Sequence, residues 1–453
     1  MKENGDEPAR TAHANAGRAG ERRRFSIHVM WTLLARLLMT ANSVIAGVIV
    51  ARWLGAEGLG ELAVLNVTVA TVIQVSSAGL PSANTYFISK DRNHLAAVAL
   101  NSLIFALAAG SVLALLLTML AMWRPGLFSS ISPQLVAIAA VSIPFQLITL
   151  IGLNVFLALG RIDRFNLLDL ASQSFVLVNA LLAIVILSRG LWALVSLNTA
   201  VSVLMGILVV WLIGRQALRQ KEKGASLVRP SARLFAEMLR YGVKFHVSIL
   251  AGMLIFRADL LVVNHFRGAA EAGVYAVASQ VAMMLMMLPG VISTLLFPRV
   301  TSEQGRRRDQ LTCRASRHTT IIMLVVAIAA VPASFALPLL YGEPFADTTM
   351  QLMILLPGVC LVSIESVIVQ YFSATGLPVA IPLFWLLTLV VNICLTFALV
   401  PSFGARGAAL ASTISYTLIF ALVAFYFRAK TGNAISSTLL LSSEEWRALL
   451  GVA

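Results

Sequence analysis

Charge is scarce in this sequence: 12% of its 453 residues are Asp, Glu, Lys or Arg, about half the share found in a water-soluble domain. The charge that exists lies in short stretches between long apolar runs, and 59% of the chain is hydrophobic, with a mean hydropathy of +0.87. These values exclude a soluble fold and point to a bilayer. Cysteine is scarcer still. Cys313, Cys360 and Cys394 show neither metal-ligand spacing nor a disulfide pattern, and the six histidines are scattered, so no metal and no cofactor is expected. The chain lacks a nucleotide-binding P-loop, a Rossmann glycine pattern, HExxH and GxSxG, which removes ATP-driven transport and the common hydrolase chemistries. It also lacks the sizeable external loop that an intramembrane polymerase or glycosyltransferase would need, and catalysis becomes a remote alternative to transport. Alternating ten-residue strands are absent too, which excludes a closed barrel.

What is present is a series of apolar runs, each near the roughly 20 residues that cross a hydrocarbon core. They lie near 25–50, 60–88, 95–123, 134–159, 166–188, 191–213, 243–265, 272–297, 318–340, 346–372, 379–400 and 407–427. The expected fold is all-α: a polytopic membrane protein with about twelve transmembrane helices. Threading the chain through these spans puts 27 of the 34 Lys and Arg on one side and five on the other. By the positive-inside rule both termini are then cytoplasmic. That distribution also explains the net charge of +14 by contact with membrane lipids rather than nucleic acid.

The composition divides the chain further. Residues 1–24 read as a disordered cytoplasmic tail, 25–213 as a six-helix lobe, 214–242 as a basic linker, 243–427 as a second six-helix lobe and 428–453 as a cytoplasmic tail. Within the linker, Leu234, Phe235, Met238 and Leu239 share one helical face, the pattern of a short interfacial helix. The lobes look like repeats. Gly55-Ala-Glu-Gly-Leu-Gly-Glu-Leu-Ala-Val64 matches Gly268-Ala-Ala-Glu-Ala-Gly-Val-Tyr-Ala-Val277 at five of ten positions without a gap. Six spans per repeat preserve orientation, so the expectation is two pseudo-symmetric lobes around a central cavity.

Ionisable groups inside spans are the natural candidates for function, since each costs about 2.5–3.5 kcal/mol to insert. Arg36 lies near mid-depth of the first span, and Arg257 and Asp259 lie in the outer half of the seventh. Glu365 lies in the tenth. Arg36 and Arg257 are candidate cavity charges, because guanidinium is suited to phosphate; the plainer reading is helix–helix pairing, for example Arg36 with Asp259. Asp259 and Glu365 are candidate groups for ion coupling. Asn42, Gln74, Asn154 and Gln280 are candidate glycan contacts, with interhelical hydrogen bonding as the alternative.

Several motifs fall in a familiar order. Val50-Ala-Arg-Trp-Leu-Gly-Ala-Glu-Gly-Leu-Gly60, Ala78-Gly-Leu-Pro-Ser82, Arg257-Ala-Asp-Leu-Leu-Val-Val263 with Ala272-Gly-Val-Tyr-Ala-Val-Ala278, Leu296-Phe-Pro298 and Pro401-Ser-Phe-Gly-Ala-Arg-Gly-Ala-Ala-Leu410 resemble the polysaccharide transport family. These are the O-antigen and exopolysaccharide flippases of the multidrug/oligosaccharidyl-lipid/polysaccharide exporter superfamily. The resemblance runs from about residue 25 to 428. It implies alternating access and a cargo of undecaprenyl-diphosphate-linked oligosaccharide, moved from the cytoplasmic to the outer leaflet of the bacterial inner membrane. Ion gradients or membrane potential, rather than ATP, would supply the energy, and a polysaccharide polymerase with its chain-length machinery would be partners. By the same resemblance, Arg36 and the Arg257/Asp259 pair fall at cavity positions. An ion-coupled multidrug or cation antiporter of the same superfamily is the nearest alternative.

Overall fold

The computed structural model describes residues 7–128, 131–222 and 230–440, and no strand occurs among them. The first half comprises α1 (Glu7–Ser77), α2 (Leu80–Lys90), α3 (Leu95–Trp123), α4 (Pro133–Ala158), α5 (Ile162–Ala180), continued by a π-helical segment over Leu181–Ile186, and α6 (Gly190–Glu222). The second half comprises α7 (Ala232–Arg267), α8 (Ala269–Leu285), α9 (Met287–Ser302), α10 (Arg306–Ser334), α11 (Leu337–Tyr341), α12 (Thr348–Ala374), α13 (Ala380–Thr431) and α14 (Ser436–Leu439). Among the described residues, ten segments are long and apolar enough to cross a membrane. Two of these, Met30–Ser77 and Ala380–Thr431, contain 48 and 52 residues. Each is interrupted by a glycine with non-helical geometry, Gly55 (φ 71°, ψ −173°) and Gly404 (φ 58°, ψ −141°).

Large apolar side chains point outward along these helices, among them Leu107, Leu116, Ile328, Val390 and Phe425. Such a surface is tolerated against lipid and not against water, so the chain is a multi-pass membrane protein. Trp123 with Arg124, Trp211 with Arg215 and Tyr426 with Lys430 form cation–π pairs at 4.9, 5.4 and 5.6 Å near helix ends, where amphipathic rings suit the headgroup level.

The structure departs from the sequence reading at several boundaries. α1 begins at Glu7, inside the stretch read as a tail; its Ala- and Arg-rich sequence extends an existing helix cheaply, because propagation avoids the cost of nucleation. The second run breaks at Ala78 and Gly79, both at positive φ, before α2. The eighth run is also broken, at Met286, ahead of Pro289, which has no N–H to give the preceding turn. The basic stretch 299–317 is largely helical, since α10 starts at Arg306. The amphipathic segment after Ser231 is the first part of the continuous helix α7, with Ser231 accepting from Leu234 N at 3.1 Å as its cap. Its apolar face meets protein: Phe235 packs on Phe105 of α3 at 5.5 Å between ring centroids, and Met238 is fully buried. Residues 1–6, 223–229 and 441–453, parts of the expected tails and linker, lie outside the described residues.

Within the first half, α4 packs on α3 and α6, and α1 on α5; within the second, α13 packs on α7 and α12, and α12 on α10. The halves meet chiefly where α1 lies along α8 and α7, and where α2 lies along α7.

Candidate functional site

The contact between the halves is built by the segments that match in sequence. Gly55 and Gly268 occupy equivalent places in that match and share one backbone geometry, φ 71°, ψ −173° and φ 87°, ψ 173°. A positive φ of this kind favours glycine. One turn on, Ala56 and Gly60 face Ala269 and Gly273. A Cβ placed on Gly60 would collide with the carbonyl oxygen of Ala269 and stand 2.9 Å from Gly273 N; one placed on Gly273 would collide with the carbonyl oxygen of Ala56 and stand 2.9 Å from Gly60 N. The contact is reciprocal, as across a local two-fold axis. It is a small-xxx-small crossing in both copies of the repeat, the arrangement that lets membrane helices approach backbone to backbone.

From this seam α1 continues along the second half. Arg52 donates its Nε to Leu340 O at 2.8 Å and also reaches the carbonyl of Leu339. Gln280 Nε2 donates to Ser43 Oγ at 3.0 Å, and Thr40 Oγ1 lies 3.3 Å from Met287 Sδ. At the opposite end, some 26 Å along the helix at 1.5 Å per residue, Gly79 abuts Gly242 and Tyr86 stacks on Tyr241 at 4.4 Å between centroids. The halves are therefore joined at both ends.

The ionisable candidates are divided between the halves. Arg36 is exposed on α1, one turn beyond Thr40, with Asp169 of α5 as an opposite charge within electrostatic reach. The neighbouring contacts of α1 with α5 are Asn166 Nδ2 to Thr32 Oγ1 at 2.8 Å and Asn42 Nδ2 to Ser174 Oγ at 2.9 Å. Asp259 is buried in the second half. It accepts hydrogen bonds from Tyr275 Oη of α8, from Ser412 Oγ of α13 at 2.9 Å and from Leu260 N at 2.8 Å. The pairing of Arg36 with Asp259 considered from sequence is thus not made: each has its partners within its own half. Arg257, two residues before Asp259, is exposed on α7. Glu365 is buried on α12, and its Oε1 has no hydrogen-bond partner in the protein.

The uncharged candidates are placed differently. Asn42 bonds Ser174 as above, and Asn154 donates to Leu150 O of its own helix at 2.9 Å. Gln280 bridges the halves through Ser43, and Gln74 lies half-buried near the end of α1. No group of three or more His, Cys, Asp or Glu able to hold a metal occurs among the described residues. Sequence reasoning missed Tyr275 and Ser412, the donors to Asp259. It also missed the Gly60–Gly273 contact, although both glycines stood in the aligned repeat.

A cleft of about 390 Å³ opens between α9 and α12, lined by Met286, Gly290, Ser293, Ser366 and Gln370. A smaller space of about 10 Å³, close to the least that holds one water molecule, is lined by Met286, Phe256, Ser279 and Tyr416 among others.

A family model described as polysaccharide biosynthesis protein matches residues 27–304. Among individual proteins, the chain is 24% identical over 246 residues to the probable low-salt glycan biosynthesis flippase Agl15 of Haloferax volcanii, covering 52% of this chain and 51% of that protein. It is 28% identical over 170 residues to the probable flippase AglR of the same organism, covering 35% of each. The matched part thus spans about half the length of the first of these relatives and a third of the second. Among solved structures, an inward-facing multidrug resistance MATE family transporter of the MOP superfamily superposes with a TM-score of 0.70 at 16% identity, over 90% of this chain and 98% of that one. The lipid II flippase MurJ in an inward closed conformation gives a TM-score of 0.70 at 17% identity, over 91% and 89%. These two likenesses establish the fold.

Proposed function

The chain belongs to the polysaccharide biosynthesis protein family, and from that premise we propose that it is a flippase carrying a polyprenyl-diphosphate-linked oligosaccharide from the cytoplasmic to the outer leaflet of a bacterial cytoplasmic membrane. In this reading each half contributes six crossings, with the two glycine-interrupted helices each crossing twice, and both termini are cytoplasmic. The observation that carries it is the seam between the halves. Two helical bundles that touch through backbone-close glycines at one end, and through Gly79–Gly242 and Tyr86–Tyr241 at the other, have two closures that can open in turn, as alternating access requires.

The cargo combines an anionic diphosphate, a polar glycan and a lipid tail. Arg36 and Arg257 are exposed guanidinium groups within spans, suited to the diphosphate because they stay charged and donate in a planar fork. Asp259 and Glu365, buried in the second half, are the groups proposed to couple transport to an ion gradient. A polymerase and chain-length machinery would receive the product.

The test is reconstitution in vesicles with a labelled undecaprenyl-diphosphate oligosaccharide. Appearance of the label in the opposite leaflet, dependent on protein, is the expected result. Export of cationic dyes without movement of the lipid would replace this reading by that of a drug antiporter.

A further inference from the structure

The cleft between α9 and α12 is lined by uncharged polar groups beside apolar ones. Ser363, Ser366 and Gln370 stand at i, i+3 and i+7 on α12, so they form one polar stripe along a membrane helix. Opposite them, Ser293 Oγ lies 3.2 Å from Ser366 O and 3.4 Å from Ser366 Oγ, and Gln370 Nε2 donates to Ser366 O at 3.1 Å. Ser363 Oγ is buried without a hydrogen-bond partner in the protein. Gly290, exposed on α9, also lines the cleft, and an added Cβ there would meet no atom within 4 Å.

The position of the cleft relates it to Arg36. Thr40 of α1 touches Met287 of α9. From that contact, Arg36 lies four residues back along α1, about 6 Å, and Gly290 to Ser293 lie three to six residues forward along α9, about 4.5–9 Å in the same direction. The guanidinium and the cleft therefore sit at one depth on facing halves.

We propose that this cleft is a subsite for an uncharged sugar residue of the cargo, resting on the flippase reading above. Its lining carries hydroxyls and a carboxamide but no charge, which fits hydroxyl groups and not the diphosphate. Its ~390 Å³ lies within the usual range for small-molecule pockets of roughly 300–1,000 Å³. Gly290 and Met286 supply the apolar part of the lining for a sugar ring, and Ser293, Ser366 and Gln370 supply its polar groups.

The test uses full-length purified protein and two probes, bare polyprenyl diphosphate and the same lipid carrying a neutral disaccharide. Gly290→Leu fills the cleft from a position with free space, and Ser293→Ala with Gln370→Leu removes its polar edge. Each is expected to weaken binding of the disaccharide-bearing lipid by about ten-fold, the effect of one to two lost hydrogen bonds, and to leave bare polyprenyl diphosphate within about two-fold. Equal effects on both probes, or none on either, would overturn the subsite while leaving the flippase reading standing. Wild-type protein that binds neither probe would instead overturn the flippase reading, and the subsite with it.

Discussion

Gly60 and Gly273 occupy each other's missing side-chain space: a Cβ on either would strike the backbone of the partner helix. The contact at this end depends on two hydrogen atoms standing where every other residue has a carbon. Gly60→Val is expected to push α1 from α8 at an overpacking cost of about 1–3 kcal/mol, shifting the closed population roughly 5- to 150-fold. The helices themselves should persist. Circular dichroism of the purified variant should match wild type while transport falls; unchanged transport would show that the seam does not open and close.

The hydrogen bonds to Asp259 tie α7 to α8 and α13 inside the second half. Tyr275→Phe and Ser412→Ala each remove one donor from a buried carboxyl group, a loss of about 1–3 kcal/mol. Both variants should unfold at lower temperature in detergent, and the double variant lower still. Equal melting of Tyr275→Phe and wild type would mean that this contact contributes nothing to the fold.

Arg52 clasps the carbonyls of Leu339 and Leu340 across the halves. Arg52→Gln loses the charge-assisted part of that contact, a difference of about 1 kcal/mol between a charged and a neutral hydrogen bond. Gly47 lies beside the same contact, where an added Cβ would stand 3.7 Å from the ring of Tyr341. Thiol labelling of Gly47→Cys is expected to become faster when Arg52→Gln is added. Labelling at an unchanged rate would assign Arg52 no part in the closure.

The apolar runs were legible because each span needs a length of hydrocarbon, and α3, α4 and α6 begin within a few residues of the runs that announced them. The corners were partly legible: Gly55 and Gly268 stood in the matched repeat, and their common geometry follows from the freedom of glycine. The break at Met286 was not read, because Pro289 is compatible with either a kink or a helix start. Partners remote in sequence were the least legible. Asp259 meets Tyr275 sixteen residues away and Ser412 across 153, and nothing in the local pattern of either residue signals the contact. Arg36 was singled out by its cost in a membrane, whereas its neighbour Asp169 emerges only from the packing of α1 on α5.

That neighbour gives a further expectation. Asp169→Asn removes an opposite charge from reach of Arg36 and leaves the guanidinium freer for an anionic cargo. Binding of polyprenyl diphosphate should then tighten by a few-fold, whereas Arg36→Ala should weaken it by about ten-fold or more, as for loss of a charge-assisted hydrogen bond. Titration of the purified variants with the labelled lipid would measure both. Weaker binding in Asp169→Asn would show instead that the aspartate holds the Arg36 guanidinium in its binding position.

The central claim is most directly tested by following a fluorescent undecaprenyl-diphosphate oligosaccharide across vesicles containing wild-type protein or Arg36→Ala, under an imposed ion gradient. The account predicts protein-dependent flipping in wild type and loss of most of it in the variant, with both proteins folded. Flipping at equal rates in the two would contradict the role of Arg36, and no flipping by folded wild type would contradict the function itself.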